Sequence, residues 1–199
     1  MGHGEVPSER AALGFRVKSG WALAIVLTGE AQSPRARDRS TVPLADPSLP
    51  ESSHPYHAGL EVSAAQARTI VSRLVAVVED QAARSVPELL VRCAREGWIL
   101  RGAGLVVGSD ADPAHIANDH IRAHAEEGRL FRRVLEKALV EAGLTVTVTT
   151  EKHLFLAAAS QLGRPEARLR EEVAALGKSL GGPWRAEEKT AAMAAWMTL

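Results

Sequence analysis

The sequence predicts a single α/β domain built on a mixed five-stranded sheet, with the first three strands antiparallel and helices on both faces. Three observations lead there. The N-terminal part reads as three short strands joined by tight turns, and strands so joined pair antiparallel. The later strands are separated by helical stretches, which favours parallel crossovers. The 199 residues, 46% of them hydrophobic, suffice for one domain with a sizeable core.

Residues 1–12 carry Glu5, Glu9 and Arg10 and lack the apolar centre of a signal peptide; they are expected to form a flexible tail ahead of a domain over 13–199. "GFRVKSGWALAIVLTG" predicts strands over Phe15–Val17 and Trp21–Leu27 about a "KSG" turn, and a third strand falls within "SPRARDRSTVPLA". "DPSLPESSHPYHAGLE" is rich in Pro, Ser and His and shows no periodicity. Such a long loop inside a compact domain tends to be functional or disordered. A helix is predicted from an N-cap at Ser63 through Arg84. A second runs from Ser85 to Gly97, with Pro87 in its first turn and Glu88 closing a capping box. "WILRGAGLVVG" reads as a buried strand, "DADP" starts a helix that Gly143 stops, and "LTVTVTT" alternates like a half-exposed strand near a sheet edge. Helices from Glu151 to Gln161, Pro165 to Leu180 and Ala186 to Met197 complete the chain.

Lys plus Arg equals Asp plus Glu at 24 each, so no global field favours nucleic acid or a membrane surface. The longest apolar run, "WALAIVL", is too short to span a bilayer. The lone Cys93 excludes an intrachain disulfide and a cysteine-based zinc site, and a reducing, cytoplasmic setting is expected.

The order of three strands, helix, strand, helix, strand and helices resembles the ribonuclease H-like superfamily, which includes Holliday-junction resolvases, over roughly Gly14 to Leu199. The combination of "SGWA", "PYH" and "HIRAHAEEGRLFR" also resembles a family of uncharacterised bacterial proteins, a likeness that implies no activity. The first resemblance implies acids on the first strand, near the end of the fourth and on a late helix, together holding two divalent ions. This chain departs from that pattern. "FRVKSGWA" places Lys18 and Ser19 where the first acid is expected, and "GSDAD" offers Asp110 or Asp112. The last helix, phased on Met193, turns Lys189 inward and Glu187 and Glu188 away. A two-metal nuclease is therefore not expected. An inward Lys189 needs a carboxylate, such as Glu127, or an anion, or its stem snorkels so that the ammonium reaches water.

The helix containing "HIRAHAEEGRL" carries the densest chemistry. On a wheel set at Phe131, residues Val134, Leu135, Ala138 and Ala142 form the core stripe, which extends backwards through Glu127, His124, His120 and Ile116. Glu126, Arg122, Arg129 and Arg133 point the other way. An inward Glu127 needs a partner or a raised pKa. Gly128, mid-helix at a cost of about 1 kcal/mol against Ala, suggests the close approach of another backbone. His120 and His124 have the spacing of paired metal ligands. His120 to Glu127 spans about 10.5 Å along the axis, so a third ligand comes from elsewhere. The "SHPYH" loop offers His54 and His57, and it is expected to close over the helix.

Other groupings carry less. Ser19, His57 and Asp46 make a triad on paper but lack the G-x-S-x-G elbow. "GAGLVVG" lies within a strand and "RARDR" alternates charge along one. The leading expectation is a ribonuclease H-like protein that binds a small ligand or a protein at a pocket around His124 and Glu127. The alternative is a metal-dependent hydrolase. There His57, His120 and His124 hold a divalent transition metal, Glu127 is the general base and Lys189 is a further catalytic candidate. A nucleic-acid partner is not supported by net charge.

Overall fold

The computed structural model describes residues 8–199. Strands β1 (Glu9–Lys18), β2 (Trp21–Thr28), β3 (Arg35–Pro43), β4 (Trp98–Val107) and β5 (Thr145–Thr150) form one sheet in the order β3-β2-β1-β4-β5. β1 and β2, and β2 and β3, pair antiparallel. β4 lies parallel to β1 and β5 parallel to β4. Helices α1 (Ala64–Arg95) and α2 (Asp119–Glu141) cover one face; α3 (Leu154–Leu162), α4 (Glu166–Leu176) and α5 (Ala186–Met197) cover the other.

β1 sits at the centre and is buried on both faces from Ala11 to Val17. Alternation sorts its side chains: Leu13, Phe15 and Val17 pack with α1 and α2, while Ala12 joins the core beneath α3 to α5. Gly14 and Gly104 are register partners on β1 and β4 and lie directly beneath α5. A methyl at Gly14 would overlap the Ala191 carbonyl oxygen, and one at Gly104 would stand 2.5 Å from that of Ala194. The alanine-rich α5 thus rests on bare backbone, which makes it the most tightly seated helix on the sheet.

Three sequence expectations change. β1 begins at Glu9, so the tail expected over residues 1–12 overlaps the strand at its end, while 1–7 lie outside the described residues. Glu9 is held in place by Arg35 and Arg37 on β3. The two helices expected around Pro87 are one helix of 32 residues. Its buried stripe of Leu74, Val78, Ala82, Val86, Leu89 and Cys93 continues across the proline. Each fully buried aliphatic side chain contributes about 1.5–3 kcal/mol, so Val86 and Leu89 together outweigh the roughly 3 kcal/mol cost of an internal proline. The capping box forms at Ser63 and Gln66, not at Ser85 and Glu88. Finally, "DADP" makes only a short 3-10 turn over Pro113–His115 capped by Asp112, and α2 starts later, with Asn118 as its N-cap.

Candidate functional site

Residues 44–62 do not wander. Leu44 and Ala45 donate backbone N–H to Gly20 O in the β1–β2 turn. Ser52 is fully buried, and its hydroxyl accepts from Asp46 N (2.9 Å) and donates to Leu49 O (2.7 Å). Two 3-10 turns follow, over Pro50–Ser53 and His57–Gly59. The Asp46 carboxylate accepts from Ser48 N and Oγ, bonds that hold its pKa below the usual range. It is a loop-forming group, so no Ser19–His57–Asp46 triad exists.

The loop lands on α2 at Glu127, which has no solvent exposure. Its Oε1 accepts from His57 Nδ1 at 2.7 Å and from the His57 backbone N–H at 3.3 Å; Oε2 lies 3.2 Å from His54 Nδ1. A carboxylate oxygen that already accepts a backbone N–H is an acceptor for the imidazole too, so His57 carries its proton on Nδ1. Its other nitrogen, Nε2, is left bare. That atom is buried and has no hydrogen-bond partner among the described residues. The His57 ring centroid lies 4.3 Å from His124 and 4.7 Å from His120, and the latter two are 4.7 Å apart. Each of the three histidines offers a ligand nitrogen within 4.8 Å of the others. Desolvation, reinforced by the crowding of His57 and His120 around it, lowers the His124 pKa and favours its neutral, ligand-competent form.

Several expected roles and placements need revision. Glu127 is not placed as a general base, because its oxygens are sealed from solvent and engaged by the loop histidines. His120 and His124 are exposed, although their azimuth on the helix is that of Phe131. They lie on the N-terminal turns of α2, where burial begins only at Ala123. Phe131 is buried and Arg133 exposed, but Glu126 is half-buried. Among the described residues no atom lies within 4 Å of a methyl added at Gly128, so none of their backbone approaches it. Lys189 sits half-buried on α5, across the sheet from Glu127, in a cavity lined by Glu151 and Arg170; its neighbour Glu188 is the buried residue. Helix α5 packs with α3 and α4 on both sides, so the phase set by Met193 does not separate inside from outside.

At the carboxyl ends of β1 and β4 stand two cations. Arg16 is buried, donates to Val17 O (3.1 Å) and pairs with Glu151 at 2.7 Å. Lys18 Nζ pairs with Glu187 at 2.7 Å, which holds the Glu187 carboxyl below its usual range. Among the described residues no carboxylate cluster occupies this sheet end. Asp112 caps a turn and faces Arg129, while Asp110 lines a separate cavity with Thr150 and His153. The "RARDR" strand is a sheet edge whose charges are paired with Glu9, Glu188 and Arg92. Arg16 escaped the sequence reading. A charge inside a strand buried on both faces is the signal that would have found it.

No protein-family model and no curated protein matches this chain. Solved structures similar to it over nearly its whole length include two of one protein. RuvC from Thermus thermophilus is 13% identical, covers 94% of this chain and 92% of its own, and gives a TM-score of 0.53. T. thermophilus RuvC in complex with a Holliday junction substrate is 13% identical over 94% and 91%, with a TM-score of 0.52. At that identity the likeness concerns the fold. With its strand order, its antiparallel first three strands and these neighbours, the chain has the ribonuclease H-like fold.

Proposed function

We propose that this protein is a single-metal hydrolase on a ribonuclease H-like fold, with His57, His120 and His124 as ligands of a divalent transition ion. One observation carries the reading: the buried, partnerless Nε2 of His57 sits beside two exposed histidines while its Nδ1 is held by a buried carboxylate. A histidine whose far nitrogen donates to a carboxylate is the usual supporting arrangement at metal sites, because the bond sets tautomer and ring orientation. Glu127 is thus a positioning residue. Three imidazoles suit zinc and its neighbours, and three protein ligands leave one coordination position open. An ion held there supplies Lewis acidity and an activated water for hydrolysis.

The second grouping of His54, His57 and Glu127 would require the His57 Nδ1 proton to be displaced and Glu127 to leave its hydrogen bonds. It is the weaker set. A nucleic-acid substrate is suggested by the neighbour that holds a Holliday junction, but the even charge balance and the cations at the sheet end do not favour a two-metal nuclease.

The test is metal stoichiometry after chelation and reloading with zinc or manganese, followed by hydrolysis of a panel of chromogenic esters. One ion per chain, lost in His120→Ala and His124→Ala, with hydrolysis that requires the ion, is the expected result. Wild-type protein that retains no more metal than His120→Ala and His124→Ala would overturn the reading.

A further inference from the structure

Beside the histidine cluster lies a cavity of about 280 Å³ whose lining includes Arg16, Lys18, Ser19, Ser109, His124 and Gly128. It opens at the carboxyl ends of the parallel strands β1 and β4, where open α/β sheets place ligands. We infer that this cavity is the substrate pocket of the proposed centre and that it takes the phosphoryl group of a small phosphorylated molecule. The inference rests on the metal reading for the chemistry, but not for the binding itself.

The donors are suited to a tetrahedral anion. Lys18 has three N–H groups, and one goes to Glu187; Arg16 has five, of which three go to Val17 O, Val106 O and Glu151. Each cation therefore keeps donors for a ligand. The chain after β4 passes close to the guanidinium: a methyl at Gly108 would lie in ordinary contact with Arg16 Nη2, at 3.7 Å. Ser19 and Ser109 also line the cavity, and the Ser109 hydroxyl, which accepts from Ala111 N, keeps its own hydrogen to donate. More donors converge than a planar carboxylate uses. Because Glu151 and Glu187 balance the two cations, and the whole chain carries equal numbers of acids and bases, there is no extended field to draw in a polyanion. The cavity volume likewise lies at the small end for ligand sites.

Gly128 is the independent observation. It sits mid-helix, where glycine is unfavourable, and nothing among the described residues occupies the space a side chain would take. Residues four apart share a helix face, and side chains lean towards the helix N-terminus. A side chain at 128 would therefore stand over His124 and narrow the cavity they both line. Access by a ligand explains the glycine where packing does not.

Inorganic phosphate is titrated at low salt into chelator-treated wild type and into Lys18→Met, Gly128→Leu, Gly128→Ala and Lys137→Met, with binding read from amide chemical shifts. Saturable binding with shifts at Gly108 and Gly128 is expected in wild type. Lys18→Met should weaken it about ten- to a hundred-fold, the worth of one charged hydrogen bond. Gly128→Leu should abolish it, Gly128→Ala should weaken it without harming the fold, and the exposed Lys137→Met should leave it unchanged. No saturable binding, or equal binding to wild type, Lys18→Met and Gly128→Leu, overturns the assignment. So does Lys18-dependent binding of a DNA duplex or junction that is tighter than phosphate, which would move the phosphoryl group onto nucleic acid. Metal stoichiometry of the same proteins after reloading with zinc or manganese separates the two readings. Phosphate bound without metal removes only the metal centre, and metal bound without phosphate removes only this pocket.

Discussion

Glu127→Gln is the most informative single change, because it keeps the side-chain volume and removes only the charge. The carboxylate accepts His57 Nδ1–H at 2.7 Å in a site closed to solvent. A hydrogen bond to a charged group contributes about 1.5–3 kcal/mol and one between neutral groups about 0.5–1.5 kcal/mol. The swap therefore weakens the hold on His57 by about 1–1.5 kcal/mol, or roughly five- to twelve-fold. The amide also frees His57 to take the tautomer with its proton on Nε2, which cannot ligate. Together these place the loss of zinc affinity at about ten- to a hundred-fold, as for other outer carboxylates at metal sites. The assay is competition with a chromophoric chelator near pH 7.5. His120→Ala and His124→Ala should lose more than Glu127→Gln, because each removes a ligand. His54→Ala should lose least, since its ring is 55% exposed and touches Glu127 only at 3.2 Å. Wild-type affinity in Glu127→Gln refutes the positioning role, and a dominant loss in His54→Ala would assign the ion to the other histidine set.

Gly128→Ala should stabilise the metal-free protein by about 0.5–1 kcal/mol in urea unfolding, since the added methyl meets nothing and glycine's unfolded-state freedom is reduced. Gly104→Ala should do the opposite, destabilising by about 2 kcal/mol or more, because its methyl meets the Ala194 backbone, which cannot yield without moving α5. The pKa of Cys93 is pushed up to about 11 by burial, so the thiol should resist iodoacetamide at pH 8 in the folded state and react once the chain is unfolded. For His124, desolvation lowers the folded pKa below 6.5, so the unfolded chain binds the proton more readily. Its contribution to the stability of chelated protein is full above the unfolded value and is lost as pH falls through the folded one. Unfolding curves from pH 8 to 5 should therefore be flatter in His124→Asn than in wild type.

Periodicity carried the architecture. Strict alternation in "TVTVTT" marks β5 as a sheet edge because only one face of an edge strand needs apolar side chains when helices cover it unevenly. The apolar run at β4, the turn at Ser19–Gly20 and the stop at Gly143, whose φ is +84°, are local features whose causes lie in neighbouring residues. Pro87 shows the limit of such reasoning. Its local preference is to begin a helix, and only the core stripe on both sides of it, held against the sheet, keeps α1 continuous.

The same division runs through the site. Helical spacing alone puts His120, His124 and Glu127 on one azimuth, since an α-helix turns by a constant angle per residue. It carries no information about depth along the axis. Only the packed fold decides that α2 runs past the end of the core, leaving both histidines open while Glu127 is sealed. Nor does spacing bring His57 to Glu127, 70 positions away. That contact depends on Ser52, Asp46 and the Gly20 carbonyl folding the loop back over the β1–β2 turn. Lys189 makes the complementary point. The wheel needs one solvent side to have a phase, and α5 is buried all round from Thr190 to Trp196, so the residue that looked like a partner for Glu127 lies across a sheet that no side chain reaches through.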